Sequence, residues 1–373
     1  ETDIQRIFRQ TRTTLGVVEI ALDIGLLRAG ALELPISEIE FELKRGSLAA
    51  VFALGKKWQQ AHGLILDARS KAERGDRLAL LDAELKTISE QKSEHQESPR
   101  RHAIAQFWAA RTAENISLQP KIHAQAALAA VSSECLDQII RNAAVLAEVD
   151  TADVYQAGGA EHVHQLRVGI RRLRSAWSFF NGIAVLPSEE LRAEIKLHFA
   201  KLGGTRDDDV LKETLLPVLS AAGQPPLVLD DGQTPAVTEN VTLSRAFQSW
   251  LLDMLAWTVL PVPPVAPPVI IATAPLEVDT PVTQEQSPPI ESLGHVAAQA
   301  TVQISAQLAP QIATPLASHT AAGAVTTASV KIQKPLALKD ALVKKLKKWH
   351  RRLLQDGLQF DQLDIEPRHE LRK

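Results

Sequence analysis

Apolar and polar residues alternate through residues 1–45 in the runs TDIQRIFRQTR, VVEIALDIG, LLRAG and ISEIEFELK. That period of two predicts antiparallel strands, with Gly16, Gly25 and Gly30 as turn candidates. Residues two apart share a strand face, so Glu38, Glu40 and Glu42 line one side and Ile39, Phe41 and Leu43 the other. By the same spacing Glu19 lies with Asp23, and Arg6 with Arg12. The period then lengthens. Residues 47–61 read as a helix capped by Ser47 that packs Val51, Phe52 and Trp58 on the sheet, and a loop carrying SKAERG at 70–75 closes the region. Helical patterns follow at roughly 78–92, 99–114, 121–148, 160–182, 188–202 and 207–221, the last with Thr205 and Asp207 as cap candidates.

From about Leu260 the helical period is lost. The stretch is rich in Pro, Ala, Val, Thr and Gln and has no lysine or arginine between Arg245 and Lys331, so it predicts a flexible insertion. Helical spacing returns in LKDALVKKLKKWHRRLLQDG at 338–357. HQLRV at 164–168 recurs as HELRK at 369–373, each at a predicted helix start, which points to an internal duplication.

At 373 residues with 45% apolar content, the chain can bury more than one core. Its lone cysteine, Cys135, excludes an intrachain disulfide and fits a reducing compartment, with cytoplasm as the default; Cys135 itself lies in an apolar helix and reads as inert core. The uncharged stretch Leu255 to Ile271 carries five prolines between Pro261 and Pro268, too many for a membrane-spanning helix, so no membrane anchor is expected. The net charge of -3 gives no reason to expect a polyanion, but it averages over strongly segregated signs.

The run HVHQLRVGIRRLRSAWSFF at 162–180 is the clearest case. On a helical wheel His164, Arg167, Arg171 and Arg174 fall within an arc of roughly 80°, opposite Leu166, Ile170, Leu173, Trp177 and Phe180. A second stripe, Lys344, Lys347, Lys348 and Arg351, opposes Leu342, Leu346, Trp349 and Leu353. Charge runs are commonly just solvated faces. Neighbouring cations on a helix nevertheless repel by roughly 0.7 kcal/mol per pair in water, and exposed helices relieve this with interleaved acids. No acid occurs between His164 and Ser188, so an anionic ligand is the better explanation. Nucleic acid readers add aromatics or amides for bases, whereas Trp177, Phe180 and Trp349 are all predicted on buried sides; phosphate fits better than bases.

The run VHQLRVGIRRLRSAWSFF, with LGGTRDDDV at 202–210 and WHRRLLQDGLQFDQLD at 349–364, resembles the CHAD domain, the conserved-histidine α-helical domain. RHELRK at the end resembles the opening of that family's second basic repeat. The resemblance implies paired helical bundles around a basic groove that binds inorganic polyphosphate. By position it implies His164, Arg167, Arg171, Arg174 and Arg206 as ligands, joined by His369, Arg372 and Lys373 at the start of the second copy.

Acids alternating along a strand beside basic strands suit a divalent cation bridged to a triphosphate, although salt-bridged surface strands present the same pattern. TDIQRIFRQTR, VVEIALDIG, PISEIEFELKRG and SKAERG resemble the later strands and closing segment of a CYTH domain, the triphosphate tunnel fold, as found in bacterial inorganic triphosphatases that also carry a CHAD domain. The resemblance implies Glu19, Asp23, Glu38 and Glu40 on the metal side, for Mg²⁺ or Mn²⁺, and Arg6, Arg12, Arg28, Lys71 and Arg74 on the phosphate side. The Glu-x-Glu-x-Lys motif of that family's first strand has no counterpart, so the expectation is a chain cut at both ends and no triphosphatase activity from this segment alone.

The expected fold is α+β by domain: an antiparallel fragment of a CYTH tunnel at 1–79, a first CHAD helical bundle at 98–257, a flexible insertion at 258–335 and the start of a second bundle at 336–373. The expected ligands are polyphosphate or tripolyphosphate. The alternatives are a tripolyphosphate hydrolase in a full-length parent and a nucleic-acid-binding helical protein. Asp207, Asp208 and Asp209 read as a helix cap rather than a metal cluster, and His102, His123 and His198 lack ligand spacing.

Overall fold

The computed structural model describes residues 1–90, 97–119, 121–147, 159–210, 241–260, 301–303, 338–358, 360–362, 364, 366 and 368. Three long strands, β1 (Thr2–Arg12), β2 (Gly16–Ala29) and β3 (Leu32–Gly46), form an antiparallel meander. Its register sets Arg6, Asp23 and Glu38 side by side, and Phe8, Ala21 and Glu40 beside them.

VVEIALDIG and LLRAG are one strand, so Gly25 is not a turn. It lies mid-ladder, where a Cβ would meet the Asp3 carbonyl oxygen at 2.0 Å. Gly30, by contrast, turns the chain with φ 58°.

The short strands β4 (Ile65–Leu66) and β5 (Thr301–Gln303) complete the sheet in the order β1-β2-β3-β5-β4, with β5 parallel to both neighbours. The stretch expected as a flexible insertion thus supplies one strand; its residues 261–300 and 304–337 lie outside the described set.

Eight helices are described: α1 (Ala49–His62), α2 (Lys71–Glu90), α3 (Glu97–Gln106), α4 (Ala124–Leu146), α5 (Ala160–Phe180), α6 (Glu189–Val210), α7 (Arg245–Val259) and α8 (Leu338–Gly357). Three differ from expectation. SKAERG is no closing loop but the first turn of α2: the Glu73 N–H donates to Ser70 Oγ at 3.1 Å and the Arg74 N–H to the Ser70 carbonyl at 3.0 Å, half of a Ser-x-x-Glu capping box. α3 ends at Gln106, because Phe107 and Trp108 turn together into a core. α6 runs without a break through Gly203 and Gly204, where two helices were expected; residues of the second expected helix beyond Val210 lie outside the described set. Ser47 stands just before α1 rather than at its cap position, which Leu48 holds, and its Oγ accepts from the Ala49 N–H at 3.2 Å.

The strand alternation sorts two faces. Val18, Ile20, Ile39 and Phe41 join Val51 and Leu54 of α1 in a core that continues without interruption into Leu128, Leu136 and Ile139 of α4, Leu166, Ile170 and Leu173 of α5, and Trp250 and Leu251 of α7. On the opposite face Leu27, Leu34 and Ile36 pack under Leu78, Leu81 and Leu85 of α2 together with Phe107 and Trp108. The boundary expected near residue 79 therefore falls inside α2, and sheet and bundle share apolar burial.

Polar links cross the same seam: the Leu66 N–H donates to Gln248 Oε1 at 2.8 Å, and Arg141 of α4 meets Glu73 of α2 at 2.6 Å. Gly169 lets α5 lie close on α4, since a Cβ there would stand 2.8 Å from Ile139 Cγ1. Among the described residues no helix is long and apolar enough to cross a membrane.

Candidate anion-binding sites

α5 buries the stripe expected of it, Leu166, Ile170, Leu173, Trp177 and Phe180, so its opposite face turns outward. Arg171 is exposed, and His164, Arg167 and Arg174 are half-buried. Among the described residues His164, Arg171 and Arg174 have no ion-pair partner. Arg172, one position off the stripe, does: it donates to Gln138 Oε1 at 2.7 Å and pairs with Glu134 at 2.6 Å.

The stripe rests on a ring that the sequence reading missed. Arg167 Cζ lies 4.6 Å and Arg174 Cζ 5.6 Å from the ring centroid of Phe199 on α6. Nothing local in the sequence links Phe199 to those arginines; the contact exists only because α6 packs on α5. The Arg206 side chain on α6, and His369, Arg372 and Lys373, lie outside the described residues.

On α8, Lys344, Lys347, Lys348 and Arg351 are all exposed. The intervening Lys345 faces inward and donates to the carbonyls of Phe179 at 2.6 Å, Asn181 at 2.8 Å and Ser178 at 3.1 Å. It thereby satisfies the acceptors left open at the C-terminus of α5 and complements that end's partial negative charge. Burial lowers the Lys345 ammonium pKa, with the neighbouring Lys348 charge acting the same way. The link holds the start of the second stripe near the end of α5, beyond Arg174.

The predicted apolar face of α8 is only partly covered. Leu338 and Ala341 are buried and Leu342 half-buried, but Leu346, Trp349 and Leu353 are exposed, Trp349 by 38%. Its ring packs edge-on against Phe179 at 5.6 Å, and the described residues that cover α8 reach only its first turns. The expectation that Trp349 is buried is therefore corrected.

The sheet carries the other cluster. Arg6 grips Asp23 with two bonds, Nε to Oδ1 at 2.7 Å and Nη2 to Oδ2 at 2.6 Å, and reaches Glu40 at 2.6 Å. Lys71 Nζ bonds all three acids: Asp23 at 2.7 Å, Glu40 at 2.5 Å, and Glu38, which Arg74 also holds. Asp23, Glu38 and Arg74 are fully buried.

Burial alone would raise the Asp23 carboxyl pKa, but hydrogen bonds from Arg6 and Lys71 overcome it and the net shift is downward. For Glu38 burial dominates, and its pKa is raised despite Arg74 and Lys71. Three acids and three bases leave the cluster neutral.

Asp23, Glu38 and Glu40 each offer an oxygen within 4.8 Å of the others, a donor set of the right kind for a hard divalent cation. The space they share is where the Lys71 ammonium sits, so a metal ion must compete with a tethered cation. The remaining expected residues do not converge there. Glu19 pairs with Lys44 at 3.1 Å, a partner the sequence reading passed over. Arg28 lies on the opposite strand face, tied to Asp3 and Glu33 at 2.9 Å each. Arg12, at the end of β1, is exposed.

This chain resembles a known family and a known protein. The family model described as "CHAD domain" matches residues 130–373. A protein of Haemophilus influenzae named "Inorganic triphosphatase" is 38% identical over 74 residues, which are 20% of this chain and 21% of the relative. The chain thus spans about a fifth of the length of that curated relative.

Proposed function

Because the chain belongs to the CHAD domain family, matched over residues 130–373, we propose that it binds inorganic polyphosphate through the outer face of α5. The observation that carries the reading is the set His164, Arg171 and Arg174, aligned on one helix face without acidic partners among the described residues. Arg167 completes the row, and Lys344, Lys347, Lys348 and Arg351 of α8 extend the positive field from the end of α5. Arg206, His369, Arg372 and Lys373 are further proposed ligands on the strength of the family motif.

Arg guanidinium edges match phosphate oxygens through paired charge-assisted bonds, and a row along a helix suits a ligand whose charges repeat along a chain. Binding of long-chain polyphosphate is expected to weaken steeply with salt as counterions are released. Arg171→Glu is expected to lower affinity by at least about tenfold and reduce the salt slope, with the helical circular dichroism unchanged. Affinity insensitive to both salt and Arg171→Glu would sink the reading. RNA at equal charge concentration is expected to compete poorly, because no unobstructed ring stands in the row.

A second reading is favoured by the 38% identity to the inorganic triphosphatase and by the convergence of Arg6, Lys71 and Arg74 on Asp23, Glu38 and Glu40. In it the sheet is part of a CYTH-type domain that hydrolyses tripolyphosphate in a longer protein. Asp23, Glu38 and Glu40 would hold Mg²⁺ or Mn²⁺, with Glu19 as a further acid, and Arg6, Lys71 and Arg74 would hold phosphate oxygens, with Arg12 and Arg28 further out. Such a metal ion supplies charge neutralisation and an acidified water. What this chain's own residues must do is exchange partners: Lys71 and Arg6 have to leave the carboxylates for the anion. In the longer protein Glu40→Gln is expected to abolish phosphate release from tripolyphosphate while leaving polyphosphate binding intact. Turnover retained by Glu40→Gln would remove Glu40 from the site.

A further inference from the structure

α8 carries two kinds of lysine. Lys344, Lys347 and Lys348, with Arg351, are exposed and have no ion-pair partner among the described residues. Lys345 stands between them, half-buried, and turns back toward α5, where its ammonium donates to the carbonyls of Phe179, Asn181 and Ser178 at 2.6, 2.8 and 3.1 Å. An ammonium has three donors, and here each meets an acceptor. The charge of Lys345 is thus answered by the C-terminal end of α5, and the charges around it are left to solvent.

We infer that Lys345 is the positioning residue that joins the α5 and α8 cation rows into one track, and that this joint makes the protein prefer long polyphosphate chains to short ones. The inference rests on the polyphosphate reading above and adds the length of ligand that the site takes.

From His164 to Arg174 the α5 row runs roughly 15 Å along the helix axis, and from Lys344 to Arg351 the α8 row runs roughly 10 Å. Lys345 is fastened at Phe179, roughly 7 Å of α5 beyond Arg174. Tripolyphosphate, with three phosphates, is shorter than the α5 row and occupies one row at a time. A chain that passes the end of α5 meets both. Once such a chain is held on α5, its contact with α8 is intramolecular, and the gain depends on how firmly the second row is kept within reach.

The other ties of α8 lie mostly ahead of the row. The Leu338 N–H donates to the Ile122 carbonyl at 3.2 Å, and Leu338 and Ala341 are buried. Within the row, the polar tie to another element among the described residues is Lys345, helped by the edge-on contact of Trp349 with Phe179 at 5.6 Å. Both therefore act on one residue of α5, the lysine through its carbonyl and the tryptophan through its ring. Leu346 and Leu353 on the same helix are exposed, so apolar burial does little to fix α8 there.

The test compares two ligand lengths, long-chain polyphosphate and tripolyphosphate, on the full chain at low salt. Lys345→Met keeps the apolar stem and removes the three bonds; it is expected to weaken long-chain binding about tenfold and to change tripolyphosphate binding by less than about twofold. Lys339→Met removes a cation from the exposed start of the same helix and serves as the charge control, with an expected long-chain loss below about threefold. Lys347→Ala combined with Lys348→Ala is expected to lose the long-chain advantage too. Lys345→Met placed on that pair is expected to cost less than it does alone, since all three act through the α8 row.

Unchanged long-chain affinity in Lys345→Met, an equal loss for tripolyphosphate, or a loss no greater than that of Lys339→Met overturns the inference, the last outcome marking Lys345 as one charge among others. If Lys345→Met alters the helical circular dichroism, the combined Lys347→Ala and Lys348→Ala variant decides: an unchanged ratio of the two affinities there overturns it. Arg171→Glu, measured alongside, reports on the polyphosphate reading separately, because it is expected to weaken binding at both lengths. Its loss of binding beside an unaffected Lys345→Met rejects the joint and keeps the site.

Discussion

The sheet and α5 each carry a concentration of arginine and lysine, and they treat those charges in opposite ways. On the sheet, Arg6, Lys71 and Arg74 are spent on Asp23, Glu38 and Glu40, half of the cluster is fully buried, and the sum of charges is zero. On α5 the row is half-exposed, His164, Arg171 and Arg174 have no ion-pair partner among the described residues, and Arg167 and Arg174 lie over a ring. A cation count along the sequence would rank the two alike. Their physics differs: the sheet cluster is held by its own ion pairs and must be unmade before it can bind anything, whereas the helix row carries its repulsion permanently and gains by meeting an anion. The first arrangement contributes rigidity, and the second, on the proposed reading, affinity.

The largest effect expected from breaking this contrast is on stability. Arg74→Met removes a fully buried guanidinium and leaves the Glu38 carboxylate buried with less compensation, so unfolding in urea is expected to be easier by about 3–5 kcal/mol. Arg171→Met, a cation of the same kind on the helix face, is expected to leave the urea midpoint almost unmoved, or to raise it slightly by relieving repulsion. Equal destabilisation by both variants would erase the distinction drawn between the two clusters.

Next in size is the exchange of one cation for another. The Lys71 ammonium stands among three carboxylates whose oxygens lie within 4.8 Å of one another, so Lys71→Met leaves an acid-rich pocket balanced, among the described residues, by Arg6 and Arg74. Millimolar Mn²⁺ is expected to raise the melting temperature of Lys71→Met by several degrees and that of the wild type much less, because a ligand bound only by the folded state stabilises it. Equal shifts in the two proteins would mean that the lysine does not occupy the metal's place.

How much of this contrast could be read beforehand depends on whether it is local. The two-faced character of 160–180 and of 338–357 is a property of single helices, so the burial of Leu166, Ile170 and Leu173 and the exposure of Lys344, Lys347, Lys348 and Arg351 followed from spacing alone. Strand parity likewise set Glu38 with Glu40 and Asp23 with Glu19, and only the family resemblance brought the acids of the two strands together. The same parity was available for Arg28, five residues from Asp23 and hence on the other face of a straight strand. Taking Gly25 for a turn concealed it. The Ser-x-x-Glu signal at Ser70 was also present and was outweighed by the loop-like look of SKAERG. What no local pattern carries is the partner of each charge. That Lys71 enters the acid cluster, that Arg172 turns inward while Arg171 does not, and that Phe199 comes under two arginines are outcomes of helix packing. The exposure of Trp349 belongs there too, since an amphipathic period says which face wants cover, not whether cover is at hand.

The smallest expected effect concerns a third way of handling a titratable group, which is to keep it neutral. His162, at the start of α5, accepts from the Gly159 N–H through Nδ1 at 3.2 Å and so presents an Nε2–H that donates to the Trp108 carbonyl at 2.6 Å. A second proton would displace the Gly159 bond. Burial, helped by the Arg69 charge, lowers the imidazole pKa below its ordinary 6.5, while the Trp108 bond opposes the shift only in part. The unfolded chain therefore binds more protons than the folded one as pH drops through 6.5, and stability is present above that value and lost below it. One group sets a limit of about 1.4 kcal/mol per pH unit on the slope. Urea midpoints measured from pH 8 to pH 5 are expected to fall less in His162→Gln than in the wild type. The buried His198 is shifted the same way and keeps some dependence in both proteins. If His162→Gln leaves the profile unchanged, the folded protein protonates the imidazole as readily as the unfolded chain does, and only below about pH 6.5 would α5 carry one more cation, at the end of the helix where its row begins.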